Sequence, residues 1–253
     1  MERKIIGYGW QPDLPDQRDF QFRAALSFIK NIPSKTDLRK KCPPVYDQGQ
    51  LGSCTANAIG AAFQFDLLKQ KQESFIPSRL FIYYNERVME HSVKQDAGAQ
   101  IRDGVKSVNK LGVCPESMWP YTISKFAQKP PVKAYTEATK HIALSYQRVS
   151  RTLNQMKGCL ALGFPFIFGF TVYESFESEA VAKNGKLNMP AAEEKVVGGH
   201  AVLAVGYNDS TKRFIVRNSW SKDWGLGGNF TMPYEYLLNP DLSDDFWTIR
   251  LVQ

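Results

Sequence analysis

The segment from Gln48 to Gln70 constrains this 253-residue chain more than any other. Gln48-Gly-Gln-Leu-Gly-Ser-Cys54 sets two glycines in a short approach loop. Ser53-Cys54 then opens a run in which Ala58, Ala61 or Ala62, Phe65 and Leu68 recur at helical spacing. That spacing predicts a helix from Cys54 to Gln70 with the cysteine in its first turn. A helix N-terminus carries partial positive charge, which favours thiolate over thiol. Gly49 and Gly52 allow a turn tight enough to bring Gln48 beside the sulfur, so that its amide and the Cys54 N–H point at one place.

A thiol nucleophile also needs a base and a group that orients the base. Gly199-His200-Ala201 lies in a glycine-bounded apolar run reaching Tyr207, which reads as a buried strand. Arg213-Phe-Ile-Val-Arg-Asn218 follows, and the Asn, Asp and Ser between the two runs supply turn chemistry, so they are expected to pair as a hairpin. An amide at Asn218 can accept the proton on one imidazole nitrogen and leave the other facing the thiol. The histidine follows the cysteine by the roughly 130–150 residues usual for such a pair, and the asparagine lies somewhat further on.

These segments together resemble the papain-like cysteine peptidases. Ile32-Pro33 and Asp37-Leu-Arg39 are similar to the mature start of such enzymes, Gln48 to Cys54 to their oxyanion and nucleophile segment, and Pro120-Tyr121 to a marker before the interdomain crossover. Asn218-Ser-Trp220 with Trp224-Gly225 is similar to the segment whose tryptophans shield the catalytic pair and line the leaving-group side. The resemblance implies an α+β fold of two lobes, with a mainly helical lobe over about 45–120, a mainly β, barrel-like lobe over about 121–253 and the site between them. It implies a cysteine endopeptidase in which Cys54, His200, Asn218 and Gln48 act on a peptide or protein substrate. Gly98 and Ala99 stand where the family pairs with substrate backbone, and Gly169 and Ala201 where it walls the pocket for the residue two before the cut. Two departures matter. Leu51 and Thr55 replace a cysteine and an aromatic of the family's local signature. The disulfide anchored there is therefore absent, and its partner position falls near Asp96. The gapped pattern is nearer a bacterial, xylellain-like branch than lysosomal cathepsins. Other outcomes of the same residues are a papain-fold amidase or transpeptidase, or a catalytically silent peptide-binding module.

Composition adds limits. The formal charge of +7 comes from scattered basic residues, so a nucleic-acid or nucleotide contact is not expected. No CxxC or HxxxH pair suggests a metal, and no cofactor is implied. With Cys54 assigned to chemistry, Cys42, Cys114 and Cys159 are an odd set; a Cys42 to Cys114 bridge and three buried thiols are both open. The start has no apolar signal core and no run long enough to cross a membrane, which points to the cytoplasm unless a leaderless route exports the protein.

Residues 1–31 precede the mature-like start and are too short to copy the family's helical propeptide. Pro12 and Pro15 favour extended backbone there. The segment is expected either to lie across the cleft as an intramolecular inhibitor, anchored by Trp10 or Phe20, or to serve as a packing strap on one lobe.

Overall fold

The computed structural model of the chain describes residues 7–253. Ten strands occur among them: β1 (Trp10–Gln11), β2 (Gln21–Phe22), β3 (Lys35–Asp37), β4 (Ala99–Gln100), β5 (Ala143–Val149), β6 (Phe166–Tyr173), β7 (Val196–Asn208), β8 (Arg213–Arg217), β9 (Asn229–Pro233) and β10 (Ser243–Val252). The helices are α1 (Leu26–Ile29), α2 (Cys54–Lys69), α3 (Arg79–Met89), α4 (Ile101–Lys110), α5 (Val132–Ala138), α6 (Leu153–Ala161), α7 (Glu179–Asn184) and α8 (Tyr234–Leu238). The helices and sheet form the α+β arrangement that the resemblance implied.

Helix α2 is the centre of the molecule. Every residue from Cys54 to Leu67 is buried, so the helix is enclosed on all faces rather than amphipathic. Small residues such as Ala56, Ala58, Ala61 and Ala62 let β7 and β10 approach on one side and α3 and α4 on the other. Ser78 starts α3 by accepting the Phe81 N–H at 3.2 Å, which satisfies one of the donors that a helix start leaves free.

The main sheet runs β2-β5-β10-β6-β7-β8-β9, with β3 added alongside β7. No ladder joins its two ends among the described residues, so the barrel-like expectation is met by a linear strand order. The expected hairpin is β7 with β8, in antiparallel register from Leu203↔Arg217 to Asn208↔Arg213. Strand β7 begins four residues earlier than the apolar run suggested, because Val196 to Gly199 pair with β6 through Gly199↔Thr171 and Val196↔Tyr173. Strands β5 and β10, which carry the sheet from β2 to β6, have no clear sequence signal. Their pairing contains register shifts around Leu251, and such bulges break the period-2 alternation.

Residues 121–141 pack with the helices. Tyr135 in α5 donates to Asn85 of α3 at 2.9 Å, and its ring lies 4.8 Å from that of Phe81. All four cysteines are free thiols. No described helix is long and apolar enough to cross a membrane.

Candidate active site

Three chain segments meet at the N-terminus of α2. Gln48 reaches the β7–β8 side through its backbone, donating to the Ser219 carbonyl at 2.9 Å, while Ser221 N–H donates to the Tyr46 carbonyl at 3.1 Å. The Gln48 side chain is equally fixed. Its Oε1 accepts from Ser219 Oγ at 2.6 Å and its Nε2 donates to the Leu51 carbonyl at 3.0 Å, which leaves one amide hydrogen uncommitted.

His200 sits in β7 and is fully buried. Its Nε2 pairs with Asn218 Oδ1 at 2.8 Å, and Asn218 is held in turn at the end of β8 by its N–H to the Gly228 carbonyl. Since Asn218 Oδ1 also accepts the Ser219 N–H at 2.9 Å, it is oriented as an acceptor and His200 Nε2 is the donor. His200 Nδ1 has no hydrogen-bond partner among the described residues. Ala201, the residue after His200, donates its N–H to Cys54 Sγ at 3.4 Å. The ring with the free nitrogen therefore begins one residue from the sulfur.

Aromatic rings enclose the imidazole. Trp220 stacks on it with centroids 5.1 Å apart and planes at 30°, and Trp224 backs Trp220 edge-on at 5.2 Å. Phe170 and Phe176 complete the enclosure at 5.8 and 6.2 Å. These two were not singled out from the sequence. Phe170 is one of three alternating phenylalanines in β6, all buried, and only the register Phe170↔His200 distinguishes it.

The remaining predicted positions gather round the same cleft and are covered by residues 8–11. Strand β1 pairs in parallel with β4 through Trp10↔Ala99, and the Ala99 N–H donates to the Gly9 carbonyl at 2.7 Å. Gly98, at φ +74°, leaves no room for a Cβ against the Gly9 backbone. Gly169 and Ala201 face each other in the β6–β7 ladder, and the Trp10 indole lies where a side chain on Gly169 would project. The Tyr8 ring meets His200 edge-on at 5.8 Å and Trp220 at 6.3 Å, and the Tyr8 hydroxyl donates to Glu177 at 2.8 Å.

Two sequence expectations change here. Phe20 is not an anchor: its side chain is 70% exposed, while Tyr8, Trp10 and the buried Phe22 make the contacts. Phe20 flanks the two-residue β2, whose alternation turns Phe22 inward. The expected thiolate and imidazolium are also opposed here by burial. Burial pushes the Cys54 thiol up to about 12, although the N–H groups of Ala201, Gly9 and Thr55 pull the other way. Burial likewise pushes His200 down to about 4, against the Asn218 hydrogen bond. With residues 8–11 packed over the site, burial favours the uncharged form of both groups.

Residues 12–22 extend the cover through a charged cluster. Asp13 accepts from Trp247 Nε1 at 2.8 Å and from the Arg102 N–H at 3.0 Å, and its own N–H donates to Asp245 at 2.8 Å. Trp10 Nε1 donates to the same Asp245 oxygen at 3.0 Å. Asp19 pairs with Arg102 at 2.5 Å, and Arg148 lies 3.6 Å from Asp13 and 3.1 Å from Asp245. No group of three His, Cys, Asp or Glu among the described residues has the arrangement to hold a metal.

Comparison with known proteins points to one family. Residues 32–237 match the family model for papain family cysteine proteases. An uncharacterized peptidase C1-like protein of Acanthamoeba polyphaga mimivirus is 46% identical over 97% of this chain and 87% of its own length. Cysteine proteinase 1 of Entamoeba histolytica is 28% identical over 80% of the chain and 64% of its own length. The crystal structure of xylellain, a cysteine protease from Xylella fastidiosa, superposes with a TM-score of 0.93 at 44% identity, covering 100% of this chain and 99% of that one.

Proposed function

The chain belongs to the papain family of cysteine proteases, and from that premise we propose that Cys54, His200, Asn218 and Gln48 carry out its peptide-bond hydrolysis. Cys54 Sγ attacks the scissile carbonyl carbon after His200 Nδ1 takes its proton. The amide of Gln48 and the Cys54 N–H stabilise the oxyanion. His200 then protonates the departing amine and later activates the water that releases the acyl group. Asn218 keeps Nε2–H committed, so that only Nδ1 is available for proton transfer. The observation that carries this reading is the buried imidazole with one nitrogen on Asn218 at 2.8 Å and the other free, in a strand whose next N–H touches Cys54 Sγ.

Gly98 and Ala99 offer backbone groups to an extended substrate, Gly169 and Ala201 leave space for a bulky apolar side chain, and Trp220 with Trp224 flanks the leaving-group side. Residues 8–11 occupy these same surfaces, which supports an autoinhibited resting state. Gly9 turns its carbonyl to Ala99 and presents an N–H to the sulfur, so no carbonyl carbon is offered for attack. When the segment leaves, water and substrate replace it, the desolvation that keeps both groups neutral is relieved, and the ion pair forms.

The test is covalent labelling by an epoxysuccinyl inhibitor together with a fluorogenic peptide panel. Labelling and turnover that vanish together in Cys54→Ala support the assignment. Turnover that survives in Cys54→Ala refutes it.

A further inference from the structure

The loop that presents Cys54 has no covalent tie, since all four cysteines are free, yet its geometry is fixed from outside. The Asp96 carboxylate reaches across from the loop after α3 and accepts the Gly52 N–H with both oxygens, at 3.1 and 3.0 Å. Gly52 lies two residues before the nucleophile. Asp96 Oδ1 also accepts from the Tyr83 hydroxyl at 2.5 Å, and that hydroxyl accepts the Gly98 N–H at 3.1 Å. One short chain of hydrogen bonds thus runs from the nucleophile loop through Asp96 and Tyr83 to Gly98, beside the strand that pairs with extended backbone.

The chain is supported from below. Tyr83 is fully buried in α3, and burial, followed by the Asp96 hydrogen bond, pushes its hydroxyl well above its ordinary range, so it remains a donor. The Arg87 guanidinium, one turn later and also buried, lies 3.9 Å from the Tyr83 ring centre. It donates to the Val93 and Gln95 carbonyls at 2.7 and 3.0 Å, which fixes the loop that carries Asp96. A planar five-donor group suits this work because it can serve several carbonyls without adjusting its shape.

We infer that Asp96 and Tyr83 are positioning residues: they form a polar clamp that couples the nucleophile loop to the substrate-pairing segment in place of a covalent crosslink. The inference rests on the reading of Cys54 as nucleophile, but the clamp is a physical object that can be measured without turnover. Asp96 is exposed at the surface, so it can be replaced without opening the core. The consequence for catalysis is directional. Loosening Gly52 displaces Cys54 and lowers the rate of the chemical step, whereas loosening Gly98 weakens backbone pairing and raises KM.

The experiment uses the full-length chain with Asp96→Ala, Asp96→Asn and Tyr83→Phe, reading amide hydrogen exchange at Gly52 and Gly98 beside kcat and KM on a fluorogenic peptide. In Asp96→Ala the clamp predicts roughly tenfold faster exchange at Gly52 and a kcat lower by about tenfold, with KM changed less than about twofold. Asp96→Asn keeps an acceptor oxygen and should return kcat to within about threefold of the parent. Tyr83→Phe should release Gly98 and act mainly on KM. Gly52 exchange and kcat both within about twofold of the parent in Asp96→Ala would overturn the clamp, as would a lower melting temperature with kcat unmoved. If the parent shows no Cys54-dependent turnover, the peptidase assignment fails separately, and Gly52 exchange still decides whether the clamp exists.

Discussion

The two halves of the cleft are held by different forces. On one side the proposed catalytic side chains ride on largely buried backbone: Cys54 on a helix enclosed by the core, His200 on β7 and Asn218 at the end of β8, whose ladder with β7 is buried from Leu203 to Tyr207. On the other side residues 8–22 are tied by two short backbone ladders, Trp10–Gln11 on β4 and Gln21–Phe22 on β5, and by side-chain contacts such as Trp10 to Asp245 and Asp19 to Arg102. Packing of the first kind is lost only with the fold, while contacts of the second kind can open locally at a fraction of the global stability. The proposed autoinhibited state needs this asymmetry, because in it the cover must leave while the site stays assembled.

The sharpest way to break the comparison is at its rigid side. Cys54→Ala should lower peptide turnover by at least about 10⁴-fold without unfolding the protein, as removal of a covalent nucleophile does elsewhere; circular dichroism and a fluorogenic assay check both halves of that statement. Asn218→Ala should cost on the order of 10²-fold in kcat, because the imidazole keeps its stack on Trp220 but loses the partner that fixes its proton.

Changes on the covering side should act in the opposite direction. Trp10→Ala removes the indole from over Gly169 and its bond to Asp245, and is expected to raise kcat/KM about tenfold by shifting the population toward an open cleft. pH should shift the same equilibrium. Burial, then the charge of Asp245, pushes the Asp13 carboxyl up to about 7 from 3.8, and Asp245 is raised as well, chiefly by burial. A released segment returns Asp13 to its ordinary value, so docking takes up protons. The docked state is therefore favoured fully below about pH 4 and progressively less up to about pH 7. Arg102, Arg148 and Asp19 face the same cluster. Turnover should rise with pH across it more steeply in the parent than in Asp13→Asn, whose side chain cannot ionise, and paired pH–rate profiles measure the difference. The smallest effect is expected at Phe20→Ala, within about twofold of the parent in kcat/KM, since its side chain is largely solvent-exposed.

The rigid side was also the side written in the sequence. A glycine loop entering a helix, a glycine-bounded strand and a following run with a turn between them are local patterns, and they brought Gln48, Cys54, His200 and Asn218 to one place. What stayed hidden depends on tertiary neighbours. Phe170 and Phe176 look like any core phenylalanines until the β6–β7 register is known. Strand β10 carries Asp244 and Asp245 amid its apolar residues, and these make sense only once Arg148, Trp10 and Asp13 surround them. The choice of Trp10 over Phe20 as anchor followed from which residue reached a glycine-floored surface, and spacing along an extended segment does not encode that. Helix position promised Cys54 a depressed pKa, but complete burial under residues 8–11 outweighed the N–H groups that face it.

The measurement that bears most directly on the central claim is the second-order rate of epoxysuccinyl labelling at Cys54, compared between the full-length parent and Trp10→Ala at one pH, with the labelled residue identified by peptide mapping. A neutral thiol under its own N-terminal segment predicts slow labelling in the parent, labelling faster by about tenfold in Trp10→Ala, and modification at Cys54 alone. Equal rates in the two proteins, or label carried by Cys42, Cys114 or Cys159, would contradict it.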